Sequence, residues 1–350
     1  MAQVWLAEQT APVHRQIALK LIKGGIYDET VLLRFQLERQ SLAMMDHPSI
    51  AKVFDAGATS DGQPYFVMEY VAGPSITVYC DQKRLRIRDR LALFKTACEA
   101  VQHAHQKAVI HRDLKPANIL VVEIDDKPVP RIIDFGLAKA ATPSSYDARL
   151  TRVGGFVGTP GYMSPEQANP SMLGIDTRAD VYSLGAILYE LLVGSPPFEL
   201  TPKLTLDEFL RAVREADAPR PATRLRAFAL EIQQTLAANR SSDPGALIRQ
   251  VSSDLGWITL KAVEKDRERR YDTASELAAD LERYLRNEPV LAVPPSTVYR
   301  AGKFVRRHRG AVALTTLAFL ATAGGCHRHI SASAEGSSTA RFGATAAPTQ

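Results

Sequence analysis

The chain has 350 residues, 45% hydrophobic and 23% charged, a length that suggests about two domains. That balance excludes a disordered, collagen-like or multi-span membrane chain. Lys plus Arg number 43 against 38 Asp plus Glu, and the resulting net charge of +5 is no nucleic-acid footprint, so no nucleic-acid partner is expected.

The first ten residues carry no basic region followed by an apolar core, so no secretory signal is read there. Residues 3–7 and 16–22 read as short strands separated by a turn at Pro12. A helical stretch over 29–45 ends before Asp46-His47-Pro48, because the residue preceding a proline disfavours helix. Residues 53–56 and 65–70 read as strands around the Ser60-Asp61-Gly62 turn. From about residue 72 the pattern turns helical. The spacing predicts a helix over 88–107, with apolar residues at 91, 94, 98 and 101. Short strands follow at 119–122 and 132–133, then a strongly apolar, buried helix at 180–192. Further helices are expected at 206–215, 226–238, 255–264 and 273–285. Cys80, Cys98 and Cys326 lack CxxC or paired spacing and read as reduced thiols of a cytosolic domain.

Residues 287–309 contain Pro289, Pro294 and Pro295 and then a basic run of Arg300, Lys303, Arg306, Arg307 and Arg309. Residues 310–326 are 17 residues without a charge, and 327–350 are rich in Ser, Ala, Thr and Gly, as disordered tails are.

The densest cluster of chemistry is His111-Arg112-Asp113-Leu114-Lys115-Pro116-Ala117-Asn118, followed sixteen residues after Asn118 by Asp134-Phe135-Gly136. These resemble the HRDLKxxN catalytic loop and DFG motif of protein kinases. Ile17-Ala18-Leu19-Lys20 resembles the family's VAIK strand, and Glu38 stands where the family places its ion-pairing glutamate. Gly158-Thr159-Pro160 and Ser164-Pro165-Glu166, with Ser in place of the usual Ala, resemble the end of the activation segment. Asp180 opens the buried helix, and 266–270 resembles a late DPxxR element without its proline. The resemblance covers about residues 1–286. It implies an α+β, bilobal protein kinase fold, with a small β-rich N-lobe (1–70, first strand missing) and a larger helical C-lobe (71–286).

The implied activity is transfer of the ATP γ-phosphate to Ser or Thr hydroxyls of proteins, with ATP and Mg²⁺ as cofactors and Mn²⁺ as the alternative metal. Phosphoryl transfer needs positioning and charge neutralisation more than covalent help. By the resemblance, Lys20 grips the α- and β-phosphates and Glu38 orients it. Asp113 accepts or orients the substrate hydroxyl proton, and Lys115 neutralises the transferring phosphoryl. Asn118 and Asp134 offer hard oxygen ligands to the metal. Val4 and Ala18 form the roof over the base and Leu120 its floor. Met68 is the gatekeeper, with backbone groups of Glu69 and Val71 bonding adenine. Taken singly, Lys20 reads as a solvated strand charge, Asp113, Asn118 and Asp134 as turn residues, and the apolar positions as ordinary core. The ordered motif set favours the functional reading.

Arg112 beside Asp113 implies switching by activation-loop phosphorylation, with Thr142, Ser144, Ser145 and Thr151 as free hydroxyls and Thr151 the main site. Glu166 is expected to pair with Arg270. A dimer would serve trans-autophosphorylation.

Two features depart from the family. Most of the glycine-rich loop is absent, with Ala2 at its third glycine. A start codon misassigned within a longer frame is the favoured reading. The other reading is a lidless ATP site, which would bind ATP more weakly. The C-terminus resembles the juxtamembrane and single transmembrane segments of membrane-anchored bacterial kinases, although 17 helical residues rise only about 25 Å against about 30 Å of hydrocarbon. If 310–326 spans, the Arg cluster places the kinase domain in the cytoplasm. The rival functions are a catalytically weak pseudokinase scaffold, a small-molecule phosphotransferase and a basic membrane-binding module.

Overall fold

The computed structural model describes residues 2–22, 45–135, 160–169 and 174–294, together with Lys303. Most of the helix expected at 29–45 lies outside them, as do Glu38, Thr142, Ser144, Ser145, Thr151, Thr159 and residues 310–326.

Four strands build an antiparallel sheet, namely β1 (Ala2–Gln9), β2 (Arg15–Ile22), β3 (Val53–Ala58) and β4 (Pro64–Glu69), in the order β1-β2-β4-β3. On β4 burial alternates strictly, with Pro64, Phe66 and Met68 inward, as period-2 side-chain alternation requires. The expected strands at 3–7, 16–22 and 53–56 fall within these elements, and the one at 65–70 overruns β4 by Tyr70 alone.

The helical lobe begins with α1 (Ile76–Gln82) and α2 (Ile87–Gln106). The buried Leu91, Phe94, Cys98 and Val101 of α2 recur every three or four residues and so form one stripe. A two-stranded hairpin follows, β5 (Ile119–Ile124) with β6 (Lys127–Ile132). The central α3 (Thr177–Val193) is buried on every side, as its nearly unbroken apolar sequence demands. Asp176 caps its start by accepting from Arg178 N–H at 2.9 Å. Gly194 ends it in the left-handed region at φ 94°, a conformation that costs glycine little.

There follow α4 (Leu206–Glu215), α5 (Pro221–Ala227), α6 (Leu230–Ala238), α7 (Pro244–Val251), α8 (Asp254–Ala262) and α9 (Ala274–Leu285), of which α5, α8 and α9 pack against α3. The single helix expected over 226–238 is two. The backbone is extended at Phe228 and Ala229, with ψ near 150°, and Phe228 packs against the core. Turning that ring inward takes the chain out of the helix, and Gln233 Nε2 donates to the freed Phe228 carbonyl at 2.8 Å. Helices α1 and α7 were not expected.

Both lobes and Val290–Pro294 form one compact unit. Asp280 ties 290–294 to the core. Its carboxylate is fully buried and accepts from Leu291 N–H at 2.7 Å, Ala292 N–H at 2.9 Å and Tyr271 Oη at 2.8 Å. Among the described residues no helix is long and apolar enough to cross a membrane. Cys80 and Cys98 are buried free thiols. Burial pushes the Cys80 thiol up to about 11 and raises Cys98 as well.

Candidate active site

Cross-strand partners in an antiparallel sheet project to the same side. The registers Val4↔Lys20↔Phe66 and Leu6↔Ala18↔Met68 therefore put Val4, Ala18, Lys20 and Met68 on one face. Lys20 and Met68 are buried there, Ala18 is half-buried, and Val4 is exposed. Lys20 Nζ lies 2.9 Å from Asp134 Oδ1 across the two lobes. Glu38, expected to hold Lys20, lies outside the described residues.

The connection between the lobes runs from Glu69 through Gly73. Val71 is buried. A Cβ on Gly73 would stand 2.1 Å from Val121 O, so only glycine lets the connection lie this close to β5. Val121 N–H then donates to Pro74 O at 2.9 Å, and Leu120 is half-buried beside an isolated bridge to Ser75. The Glu69 N–H is already given to Lys52 O at 2.8 Å.

The loop 111–118 is held from below by one buried carboxylate. Asp180 accepts from His111 N–H at 2.7 Å and Arg112 N–H at 2.8 Å, and lies 2.8 Å from His105 Nε2. Those bonds hold Arg112 at φ 65°, a conformation rare for a side-chain-bearing residue. His111 Nδ1 accepts from Asp113 N–H at 3.3 Å, which leaves Nε2 to carry the ring proton and donate to Ile133 O at 2.9 Å. Its ring also packs on Phe135, centroids 4.7 Å apart. His111 thus supports the loop.

Within the loop Lys115 Nζ stands 2.9 Å from Asp113 Oδ2. Asn118 Nδ2 donates to Asp113 O at 2.8 Å and to its Oδ2 at 3.4 Å. Ile133 N–H donates to Asn118 O at 3.0 Å, placing Asp134 one residue from the Asn118 backbone. Asp134 itself is at φ 66°. One connected set thus brings together Lys20, Asp113, Lys115, Asn118 and Asp134.

The same loop is tied to residues 164–167. Gln167 Nε2 donates to Arg112 O at 2.7 Å, while its Oε1 accepts from Ser164 N–H at 3.1 Å and Oγ at 3.2 Å. The hydroxyl that replaces the family's usual Ala therefore has a partner. Glu166 pairs with Arg270 through both oxygens, at 2.7 and 2.8 Å. Burial pushes the Glu166 carboxyl up, but the guanidinium outweighs it and leaves the group below its ordinary value.

Sequence reasoning missed Asp180's acceptance of two loop N–H groups and Gln167's link to Arg112. It also missed the Glu69–Arg131 pair that joins the lobes. A buried-helix aspartate was a visible signal for the first; nothing in the sequence pointed to the others.

This arrangement is that of a protein kinase domain. Residues 3–279 match the protein kinase domain family, and the chain belongs to it. It is 35% identical over 294 residues to the serine/threonine-protein kinase PknB of Mycobacterium tuberculosis, covering 83% of this chain and 42% of that one. PknB of Mycobacterium leprae is 35% identical over 295 residues, with shares of 83% and 42%. PknB of Mycolicibacterium smegmatis is 35% identical over 287 residues, with shares of 80% and 40%. The chain thus spans about two fifths of the length of the curated relatives it matches.

Proposed function

We propose that this chain is an ATP-dependent serine/threonine protein kinase. The observation that carries the reading is the connected set of Lys20, Asp113, Lys115, Asn118 and Asp134. Asp113, half-exposed at the loop's tip, is the group that orients a substrate hydroxyl and takes its proton. Lys115 beside it balances charge on the transferring phosphoryl. Lys20 holds phosphate oxygens from the opposite lobe. Asn118 uses Nδ2 toward Asp113, so its Oδ1 is the atom left to face a cation. With the Asp134 carboxylate this gives the hard oxygen donors that Mg²⁺ or Mn²⁺ requires. The metal, when bound with ATP, draws charge from the phosphates and fixes their orientation. Met68, Ala18, Val4 and Leu120 enclose the base, with backbone groups of Glu69 and Val71 as its polar partners, and Glu38 orients Lys20.

The division into an N-lobe (1–70), a C-lobe (71–286), a basic linker and an anchoring segment belongs to the same reading. The Arg-rich run before 17 uncharged residues supports attachment to a membrane with the kinase domain on its cytoplasmic side. Thr151 is the expected autophosphorylation site, reached in trans within a dimer.

The test is transfer of radiolabelled phosphate from ATP to a basic protein, with phosphoamino-acid analysis. Label on Ser or Thr that requires Mg²⁺ or Mn²⁺ is expected. Absence of transfer, or label on Tyr alone, contradicts the assignment.

A further inference from the structure

Arg131, near the end of β6 in the C-lobe, reaches two points of the N-lobe. Its Nη1 donates to Pro48 O and its Nη2 to Glu69 Oε1. Both side chains are largely withdrawn from water, 13% exposed for Arg131 and 27% for Glu69. The other Glu69 oxygen accepts the Lys52 N–H at 3.1 Å. Directly alongside, Ile132 N–H donates to Ser49 O at 2.8 Å and Ala51 N–H to Ile132 O at 2.9 Å. Thus residues 48–52, the first hinge residue and the strand leading to Asp134 are bound into one block, with the Arg131 side chain bonded to both Pro48 and Glu69.

On the ATP-site reading above, the two ends of this block are the two ends of the nucleotide site: the hinge after Glu69 for the base, Asp134 for the phosphates and metal. Leu120, the proposed floor of the base site, is the cross-strand partner of Arg131 and shares its face of the hairpin. We propose that Arg131 is a positioning residue for ATP, fixing the spacing between the hinge and the Asp134 carboxylate. A planar guanidinium suits this task, because its separate N–H groups hold two acceptors in one fixed geometry, whereas an ammonium presents a single point charge. The inference rests on the ATP-site reading above.

The experiment measures KM for ATP, KM for the protein substrate, kcat, calorimetric ATP affinity and melting temperature. The variants are Arg131→Met, Arg131→Lys, Glu69→Gln and the double variant R131M/E69Q. Arg131→Met is expected to raise KM for ATP about tenfold, a loss of binding carried by one charge-assisted pair, while KM for the protein substrate stays unchanged. Arg131→Lys should recover part of that loss. The double variant should regain melting temperature, because it leaves no unpaired carboxylate, yet keep the raised KM for ATP. A purely structural pair predicts the opposite, with KM for ATP recovering along with stability. That result, or a wild-type KM for ATP in Arg131→Met, overturns the proposal alone. A wild-type chain that binds no ATP overturns it together with the kinase reading.

Discussion

Glu166 and Arg270, 104 residues apart in the chain, meet in a two-pronged ion pair at 2.7 and 2.8 Å with both side chains buried. The remaining Arg270 donors are used as well, Nε on Glu264 O at 2.5 Å, Nη1 on Arg178 O at 3.0 Å and Nη2 on Lys265 O at 3.0 Å. The pair fixes residues 164–167 against the helical lobe, and Gln167 carries that position to Arg112.

Arg270→Met should therefore cost about 3–5 kcal/mol, since it leaves a buried carboxylate uncompensated. The pair also makes stability depend on pH. The Glu166 carboxyl is held below its ordinary value in the folded state, so its contribution is present above the unfolded value of about 4.5. It is lost as pH falls through the lower folded value. Denaturant unfolding across that acid range should show a steeper fall in stability for the wild type than for Glu166→Gln.

A second carboxylate has the opposite sign. Burial pushes Glu190 up to about 7, although the Tyr162 hydroxyl donates to it at 2.5 Å. The folded state then binds a proton that the unfolded state has released, and stability falls as pH rises from about 4.5 to about 7. Glu190→Gln removes that fall. Its melting temperature should gain more over wild type at about pH 8 than at about pH 5. An equal gain at both would show that Glu190 does not titrate in this range.

The Asp280 carboxylate makes residues 290–294 part of the folded core. Truncation after Arg286 removes the Leu291 and Ala292 N–H donors and uncovers the site of the buried Val290. A lost partner on a buried charged acceptor costs about 1–3 kcal/mol, so truncation after Arg286 should melt measurably lower than truncation after Pro294. Equal melting temperatures for the two would contradict the role given to Asp280.

What the sequence made legible follows from where each signal lies. Thr205 and Glu208 form a capping box around the start of α4, and that helix was expected at its observed bounds. The alternation of β4 and the apolar stripe of α2 were equally local. The fold class was readable because its motifs are short and ordered along the chain. The break at Phe228 was not, because it depends on which way one ring turns. The start of α7 did carry a signal, Asp243 accepting from Ala246 N–H at 2.8 Å with Pro244 at the first helical position. Arg131 and Glu69 lie 62 residues apart, and no spacing rule joins residues at that separation.

The central claim is that Asp113 takes part in phosphoryl transfer, and Asp113→Asn tests it most directly. Asparagine is nearly isosteric, and Asp113 is half-exposed on a loop held by Asp180 and His111, so the fold should survive with an unchanged circular dichroism spectrum. The account predicts that phosphate transfer from Mg²⁺·ATP to a protein substrate is abolished while ATP affinity stays close to wild type. Transfer near the wild-type rate would contradict it.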